Sequence, residues 1–159
     1  MKGETGLAAA SSSGARGITV AAVVSRFNPD ITEGLLHGAR AEFLSAGGSE
    51  DDLRVTWVPG AFELPQAVAR IAGSGGVDGI VTLGCLIKGE TLHFEVLAHG
   101  VTQTLTDLST RLELPLAFGL LTALNRDQAA ERSAPGEHNR GAEVMRSLLE
   151  MISAAGNRT

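Results

Sequence analysis

The sequence predicts a single α/β domain built on a four-stranded parallel β-sheet with helices on both faces. Four short, mostly apolar runs alternate along the chain with segments whose hydrophobic residues recur at helical spacing. This alternation, with short loops, is typical of parallel strands joined by right-handed helical crossovers. The chain has 159 residues, of which 43% are hydrophobic, and this suits one domain with a sizeable core.

The first strand–helix unit sets the pattern. Residues 18–24 are nearly all apolar, which favours a strand buried on both faces. A helix with Pro29 in its first turn follows, with Asn28 or Asp30 as its N-terminal cap. A pair of glycines ends this helix.

Three further strands and four helices follow in the same alternation. The predicted strands cover residues 53–58, 77–87 (trimmed at either end) and 115–121. The predicted helices cover residues 64–72, 91–111, 127–132 and 140–154. A sheet of this size with both faces covered is flavodoxin-like.

The 17 N-terminal residues are rich in Gly, Ala and Ser and show no hydrophobic periodicity. We expect a flexible arm over residues 1–17 and a folded domain over residues 18–159. The apolar piece at residues 7–10 is too short for the core of a signal peptide. The cytoplasm is therefore the expected location.

Net charge, hydropathy and cysteine content argue against nucleic-acid binding, a membrane span and an internal disulfide. The net charge of −5 argues against nucleic acid, which requires basic patches. No apolar run approaches the length of a membrane span. Cys85 is the one cysteine, so an internal disulfide is impossible, and its apolar strand predicts a small buried hydrophobe.

Aromatic, glycine and polar residues follow the predicted strands. They are Phe27 after the first strand, Ala61, Phe62 and Glu63 after the second, Gly89, Glu90, Thr91 and His93 after the third, and Thr122 and Asn125 after the fourth. The carboxyl ends of parallel strands meet at one edge of the sheet, where such folds bind ligands. We therefore expect these loops to form a single site.

The third strand end carries the chemistry that is easiest to interpret. Residues 83–94 run from an apolar strand through a short glycine loop into a long helix with His93 in its first turn. The unpaired N–H groups and the dipole at a helix start favour anions. A histidine beside such a site suggests acid–base chemistry on a phosphorylated small molecule.

Each candidate also has a purely structural interpretation. Phe27 is either a lid over the core or an exposed stacking surface, and Glu63 can complement the dipole of its helix. The Gly89 loop can be an ordinary cap, and His93 an ordinary surface residue. Arg132 by default interacts with the C-terminal end of its own helix.

Several cofactor motifs are absent from the sequence. It lacks the glycine motif for dinucleotides after the first strand, a P-loop, and metal-spaced clusters of His, Cys and Asp. The residues alone therefore indicate a small α/β enzyme or binding domain for a phosphorylated small molecule.

Four groups of motifs resemble one enzyme family. They are Ser25-Arg26-Phe27-Asn28; Val58-Pro59-Gly60-Ala61-Phe62-Glu63-Leu64-Pro65; Leu83-Gly84-Cys85-Leu86-Ile87-Lys88-Gly89-Glu90-Thr91-Leu92-His93-Phe94-Glu95; and Phe118-Gly119-Leu120-Leu121-Thr122 with Gln128-Ala129, Glu131-Arg132 and Asn139-Arg140-Gly141. In this order, over about residues 18–152, they resemble the 6,7-dimethyl-8-ribityllumazine synthases.

The resemblance implies the penultimate step of riboflavin biosynthesis. The family condenses 5-amino-6-(D-ribitylamino)uracil with 3,4-dihydroxy-2-butanone 4-phosphate and releases phosphate and water. Imine formation, phosphate elimination, ring closure and dehydration are the implied steps. No metal and no redox cofactor is implied.

The resemblance also implies residue roles. His93 would transfer protons. The pyrimidine and the ribityl chain would be bound by Phe27, Ala61, Phe62, Glu63, Ile87 and Phe118. The phosphate would be bound by Gly89, Glu90, Thr91 and Arg132, with Arg140 as a further candidate. The family forms its sites between adjacent subunits of a homo-oligomer, so Phe118 and Arg132 would come from the neighbouring subunit.

Four positions depart from the family pattern. Leu92 stands where proline is common, Glu95 where aspartate is frequent and Arg140 where lysine is common, and His138 before Asn139 is also atypical. Family members form pentamers or shells of sixty subunits, and the short segment 133–139 favours the shell.

Two alternatives remain at the level of the sequence. One is a catalytically weak relative that binds flavin-like ligands or forms a cage. The other is a flavodoxin-like electron carrier, for which Arg26-Phe27-Asn28-Pro29 is a poor phosphate loop.

Overall fold

The sheet has four strands, all parallel, in the order β2-β1-β3-β4. The computed structural model describes residues 14–156. Within them, the strands are β1 Val20–Ser25, β2 Leu53–Val58, β3 Gly79–Ile87 and β4 Leu116–Ala123. The predicted four-stranded parallel sheet is confirmed.

Five α-helices connect and follow the strands, in the predicted order. They are α1 Pro29–Ser45, α2 Leu64–Ser74, α3 His93–Arg111, α4 Arg126–Ser133 and α5 Arg140–Gly156. Two short 3-10 helices, Glu50–Asp52 and Ala61–Glu63, precede β2 and α2. The turn at Ala61–Glu63 brings residues of the candidate site close to the end of β2.

The helices cover both faces of the sheet, as predicted. One core cluster joins α1, α4 and α5 to the sheet face that carries Val20, Ala22 and Val24. The other joins α2 and α3 to the face that carries Ala21 and Val23. Every residue of β1 is buried because this central strand has helices on both sides.

The first strand begins two residues later than predicted. The Ile18 N–H donates to the Ala15 carbonyl (3.0 Å) in a turn, and the Thr19 N–H donates to an Asp78 carboxylate oxygen (2.8 Å). These bonds compete with ladder pairing, which begins at Val20 opposite Leu53 and Gly79.

The predicted arm overlaps the described residues at 14–17. Ala15 is fully buried, and its N–H donates to the Ala46 carbonyl (2.9 Å) just after α1. These residues therefore pack against the domain, whereas residues 1–13 of the predicted arm lie outside the described part of the chain. Between residues 14 and 156, no helix combines the length and apolarity needed to cross a membrane.

Candidate active site

The ends of β1, β2 and β3 surround a cleft of about 580 Å³. We call it the His93 cleft. Its lining residues are Phe27, Pro59, Gly60, Ala61, Phe62, Glu63, Leu86, Ile87, Gly89, Thr91, His93, Phe94 and Leu97. Three of the four strand ends singled out in the sequence therefore meet, as the parallel topology predicts.

Phe27 lies at the mouth of this cleft with 68% of its surface exposed. The next residue, Asn28, has a left-handed backbone (φ 59°), and its amide Nδ2 donates to the Cys85 carbonyl (3.3 Å). Asn28 thus stands at the start of α1 without capping it through its side chain. The resulting bend leaves Phe27 as an exposed aromatic surface and not as a lid over the core.

The end of β2 supplies an aromatic ring and a carboxylate. Glu63 accepts a hydrogen bond from the Gly60 N–H (3.0 Å) through Oε2, so the turn itself orients the acid. Phe62 is 72% exposed, whereas Ala61 is buried beneath it. The carboxylate is therefore held at the cleft wall by a local backbone bond, which the sequence interpretation as a dipole partner did not foresee.

The end of β3 carries the loop and the histidine. Helix α3 begins at His93, two residues later than predicted, because the Thr91 hydroxyl accepts the His93 N–H (3.3 Å). His93 is exposed at the first residue of the helix, where the dipole is positive. Glu95 pairs with the Lys88 ammonium (Nζ to Oε1, 3.7 Å). This corner combines a proton-transfer group with a favourable environment for an anion.

A second cleft of about 810 Å³ lies along β4, α4 and α5. We call it the Arg132 cleft. It is lined by Phe118, Leu120, Leu121, Thr122, Glu131, Arg132, Glu137, His138, Arg140, Glu143 and Arg146. It shares no lining residue with the His93 cleft.

The cations of the Arg132 cleft differ in their partners. Arg140 pairs with Glu143 one helical turn later (3.0 Å). Arg146 pairs with Glu42 on α1 (3.1 Å), and this bond raises the pKa of Arg146. Arg132 donates to the carbonyl of Gln128 on its own helix (3.3 Å), which matches its default interpretation as a helix-end cation.

The candidate residues therefore divide between two places on one chain. Eight line the His93 cleft: Phe27, Ala61, Phe62, Glu63, Ile87, Gly89, Thr91 and His93. Three line the Arg132 cleft: Phe118, Arg132 and Arg140. Glu90 is exposed and lines neither.

The expectation that the fourth strand end joins the same cleft is wrong. Strand β4 continues to Ala123, because Thr122 and Ala123 pair with Leu86 and Ile87. Thr122 consequently lies within the strand and lines the Arg132 cleft. Asn125 caps α4 by accepting the Gln128 N–H (2.9 Å).

Several residues that line the His93 cleft were not among the site residues proposed from the sequence, including Pro59, Gly60, Phe94 and Leu97. A signal existed for Leu97, which is four residues after His93 on the same face of a helix. Pro59 and Gly60 directly precede the Ala61 turn. Among residues 14–156, no group of three His, Cys, Asp or Glu side chains is placed to hold a metal ion.

Cys85 is buried in β3 and lines neither cleft. Burial raises the pKa of its thiol to about 11. A thiol in such surroundings is a weak nucleophile, so Cys85 has a packing role, in agreement with the sequence prediction.

Comparison with known proteins gives one consistent result. A family model described as 6,7-dimethyl-8-ribityllumazine synthase matches residues 17–155. A protein of that name from Pediococcus pentosaceus is 40% identical over 135 residues, which is 85% of this chain and 86% of that protein. Proteins of the same name from Leuconostoc mesenteroides and Nautilia profundicola are each 41% identical over 134 residues, which is 84% of this chain and 86% and 87% of their lengths.

Proposed function

Because the chain belongs to the 6,7-dimethyl-8-ribityllumazine synthase family, we propose that its two clefts are halves of one active site completed by a neighbouring subunit. The protein is a transferase of riboflavin biosynthesis. It condenses 5-amino-6-(D-ribitylamino)uracil with 3,4-dihydroxy-2-butanone 4-phosphate to 6,7-dimethyl-8-ribityllumazine and releases phosphate and water. Its substrates are small molecules, and its family forms oligomers.

One observation carries the proposal of a shared site. His93 and Arg132 line separate clefts on the same chain. The reaction needs proton transfer and loss of a phosphate from a single bound intermediate. A neighbour that presents its Arg132 cleft to this subunit's His93 cleft would bring both groups to that intermediate, as a repeating interface around a closed ring allows.

The pyrimidine half of the site is assigned to the β1 and β2 ends. The exposed ring of Phe27 offers a flat apolar face for stacking on the pyrimidine. Ala61, Phe62 and Glu63 form one wall, and the carboxylate, already held by the Gly60 N–H, retains acceptor capacity for ribityl hydroxyls. Ile87, half buried at the end of β3, and Phe118 of the neighbour would enclose the ring.

The phosphate half is assigned to the start of α3. Gly89 and Thr91 line the cleft in front of the helix, where free N–H groups and the dipole attract an anion. Glu90 adjoins them in the chain and would contribute through its backbone. Arg132 of the neighbour would add a charge-assisted, two-pronged contact to the phosphate oxygens.

His93 is assigned the proton transfers. The substrate amine attacks the ketone carbonyl and loses water to form an imine. Removal of a proton from the carbon next to that imine expels the phosphate from the following carbon and leaves an enol, which takes up a proton to become a ketone. The second amine attacks this ketone, and loss of its oxygen as water closes the ring. Histidine can accept and return these protons near neutral pH. Much of the acceleration would come from holding two reactants together.

The departures from the family pattern fit this assignment. Leu92 is exposed at the N-terminal cap position of α3, and the preceding Thr91 hydroxyl accepts the His93 N–H where the family commonly has a proline. The longer carboxylate of Glu95 forms an ion pair with the Lys88 ammonium. Arg140 keeps a positive charge in the Arg132 cleft, but its pairing with Glu143 occupies part of its guanidinium, so we assign it electrostatic attraction of the phosphate.

A mixing experiment tests the shared site. His93→Ala and Arg132→Ala chains are unfolded together and reassembled in equal amounts. At random pairing about a quarter of the interfaces combine an intact His93 with an intact Arg132 from the adjacent chain. Activity should rise to about a quarter of wild type, followed by lumazine absorbance and phosphate release. If mixing restores nothing above the two variants alone, both residues act on one chain and the proposal fails.

The assembly is proposed to be the sixty-subunit shell. Six residues separate α4 from α5, from 134 to 139, and the family resemblance associates longer segments here with pentamers. Light scattering after size-exclusion chromatography would give the mass, and a pentamer would contradict the proposal. The cytoplasmic location stays a prediction, which fractionation of expressing cells would test.

A further inference from the structure

Asn139 joins three helices through one buried side chain. It is 2% exposed and precedes the first residue of α5. Its amide Nδ2 donates to the carbonyls of Gly34 on α1 (3.1 Å), Ser133 at the end of α4 (2.9 Å) and Ala134 (3.1 Å). Its Oδ1 accepts the Ala142 N–H (3.1 Å) and so caps α5. One side chain therefore satisfies backbone groups from α1, α4 and α5.

Glycines make this close approach possible. A Cβ at Gly38 would lie 1.9 Å from Asn139 Oδ1, and one at Gly34 would lie 2.6 Å from the Ser133 carbonyl oxygen. A Cβ at Gly141 would lie 1.9 Å from the Leu35 carbonyl oxygen. The helices thus meet backbone to backbone around the amide, with no room for a side chain at these three glycines.

Two of the three arginines of the Arg132 cleft adjoin this junction in the chain. Arg132 directly precedes Ser133, whose carbonyl Asn139 binds. Arg140 directly follows Asn139 and is the first residue of α5. Helix α4 has only eight residues, so its end depends on anchoring from outside. The amide therefore anchors the backbone that carries both arginines, at the end of α4 and at the start of α5.

We infer that Asn139 is a positioning residue for phosphate binding. It holds Arg132 and Arg140 in place and does not itself touch the substrate. The inference rests on the proposed role of Arg132 as the phosphate ligand. Ligand-binding groups lose much of their effect when displaced by about 1 Å. Removal of the amide donor should therefore weaken binding of the phosphorylated ketone and leave binding of the ribitylaminouracil almost unchanged.

Asn139→Ser separates positioning from capping. Serine also caps a helix, so α5 keeps its N-terminal bond, whereas the hydroxyl cannot reach three carbonyls at once. In the assembled enzyme, KM for the phosphorylated ketone should rise about tenfold, with KM for the ribitylaminouracil within about twofold of wild type. The inhibition constant of inorganic phosphate should rise in parallel. Val20→Ala, a core truncation at the start of β1, serves as the stability control, because that end of the strand is remote from both clefts.

The outcomes separate the inference from the proposed function. If Arg132→Ala raises KM for the phosphorylated ketone but Asn139→Ser does not, the positioning role is overturned and the function stands. If Arg132→Ala leaves both KM values unchanged, the phosphate role fails and the inference falls with it. An equal rise in both KM values, which a general loss of stability would produce, also overturns the positioning role of Asn139. Should Asn139→Ser not fold, Gly34→Ala displaces the same Ser133 carbonyl and must give the same selective rise in KM.

Discussion

The carboxylate of Asp30 and the guanidinium of Arg126 form an ion pair that joins the first turn of α1 to the first turn of α4. The hydrogen bond from Arg126 lowers the pKa of Asp30 below its ordinary value of 3.8. Helix α1 begins just after Phe27, and α4 ends at the residue after Arg132. This exposed pair therefore links the two segments that carry the two halves of the proposed site.

Asp30→Asn should lower the free energy of unfolding slightly and in a pH-dependent way. Because folding lowers the pKa of Asp30, its contribution is complete above pH 3.8 and is lost as the pH falls through the folded-state pKa. Both side chains are more than half exposed, so we expect about 0.5 kcal/mol at pH 7. Urea unfolding at fixed protein concentration, followed by fluorescence of the single tryptophan, Trp57, measures the difference.

Asp51→Asn, at an exposed acid in a 3-10 helix, is the control for the change in net charge. The pair makes no net contribution if both variants lose the same stability at pH 7. A difference that persists in full at pH values well below 3 would contradict the assigned sign.

His93→Ala should reduce kcat by about a hundredfold or more with little change in either KM, because general acid–base groups typically contribute factors of this size. The variant removes proton transfer and leaves the walls of the cleft in place. Steady-state kinetics with each substrate varied in turn would measure both constants. His99→Ala is a matched control, since His99 is exposed on the same helix and lines neither cleft. An unchanged kcat in His93→Ala would remove His93 from the mechanism.

Arg132→Ala should raise KM for the phosphorylated ketone by at least about tenfold, because a charge-assisted contact to phosphate is lost. Arg132→Lys should recover part of this loss, since lysine keeps the charge but not the two-pronged geometry. Arg111→Ala, at an exposed cation at the end of α3, tests for non-specific effects of charge. Equal KM values in wild type and Arg132→Ala would contradict the assignment.

Cys85 should not react in the folded protein. With burial raising the pKa of the thiol to about 11, roughly one thiol in a thousand is ionised at pH 8, and access is blocked as well. A thiol-specific colour reagent should give almost no signal at pH 8 and one equivalent in denaturant, as the sequence has one cysteine. Rapid reaction of the native protein would mean that β3 opens to solvent.

The fold and the family could be predicted from the sequence, because their signals are local. Apolar runs such as residues 18–24 identify a strand buried on both faces. Strict alternation of strands and helices then leaves a parallel sheet. The segment from Leu83 to Phe94 likewise carried its strand, glycine loop and histidine within a few residues. The resemblance of these motifs to a known family then predicted the reaction.

Only the tertiary structure decided which residues meet. Phe118 and Arg132 lie in a cleft apart from His93, because β4 lies on the far side of β3 from β1 and β2, and α4 follows β4 in the chain. Asn139 and Gly34 lie 105 residues apart in the chain, and their contact depends on how α1 and α5 pack. Periodicity reports which side of an element is buried, but it does not report the partner against which that side packs. The packing partner of each element is therefore known only from the tertiary structure.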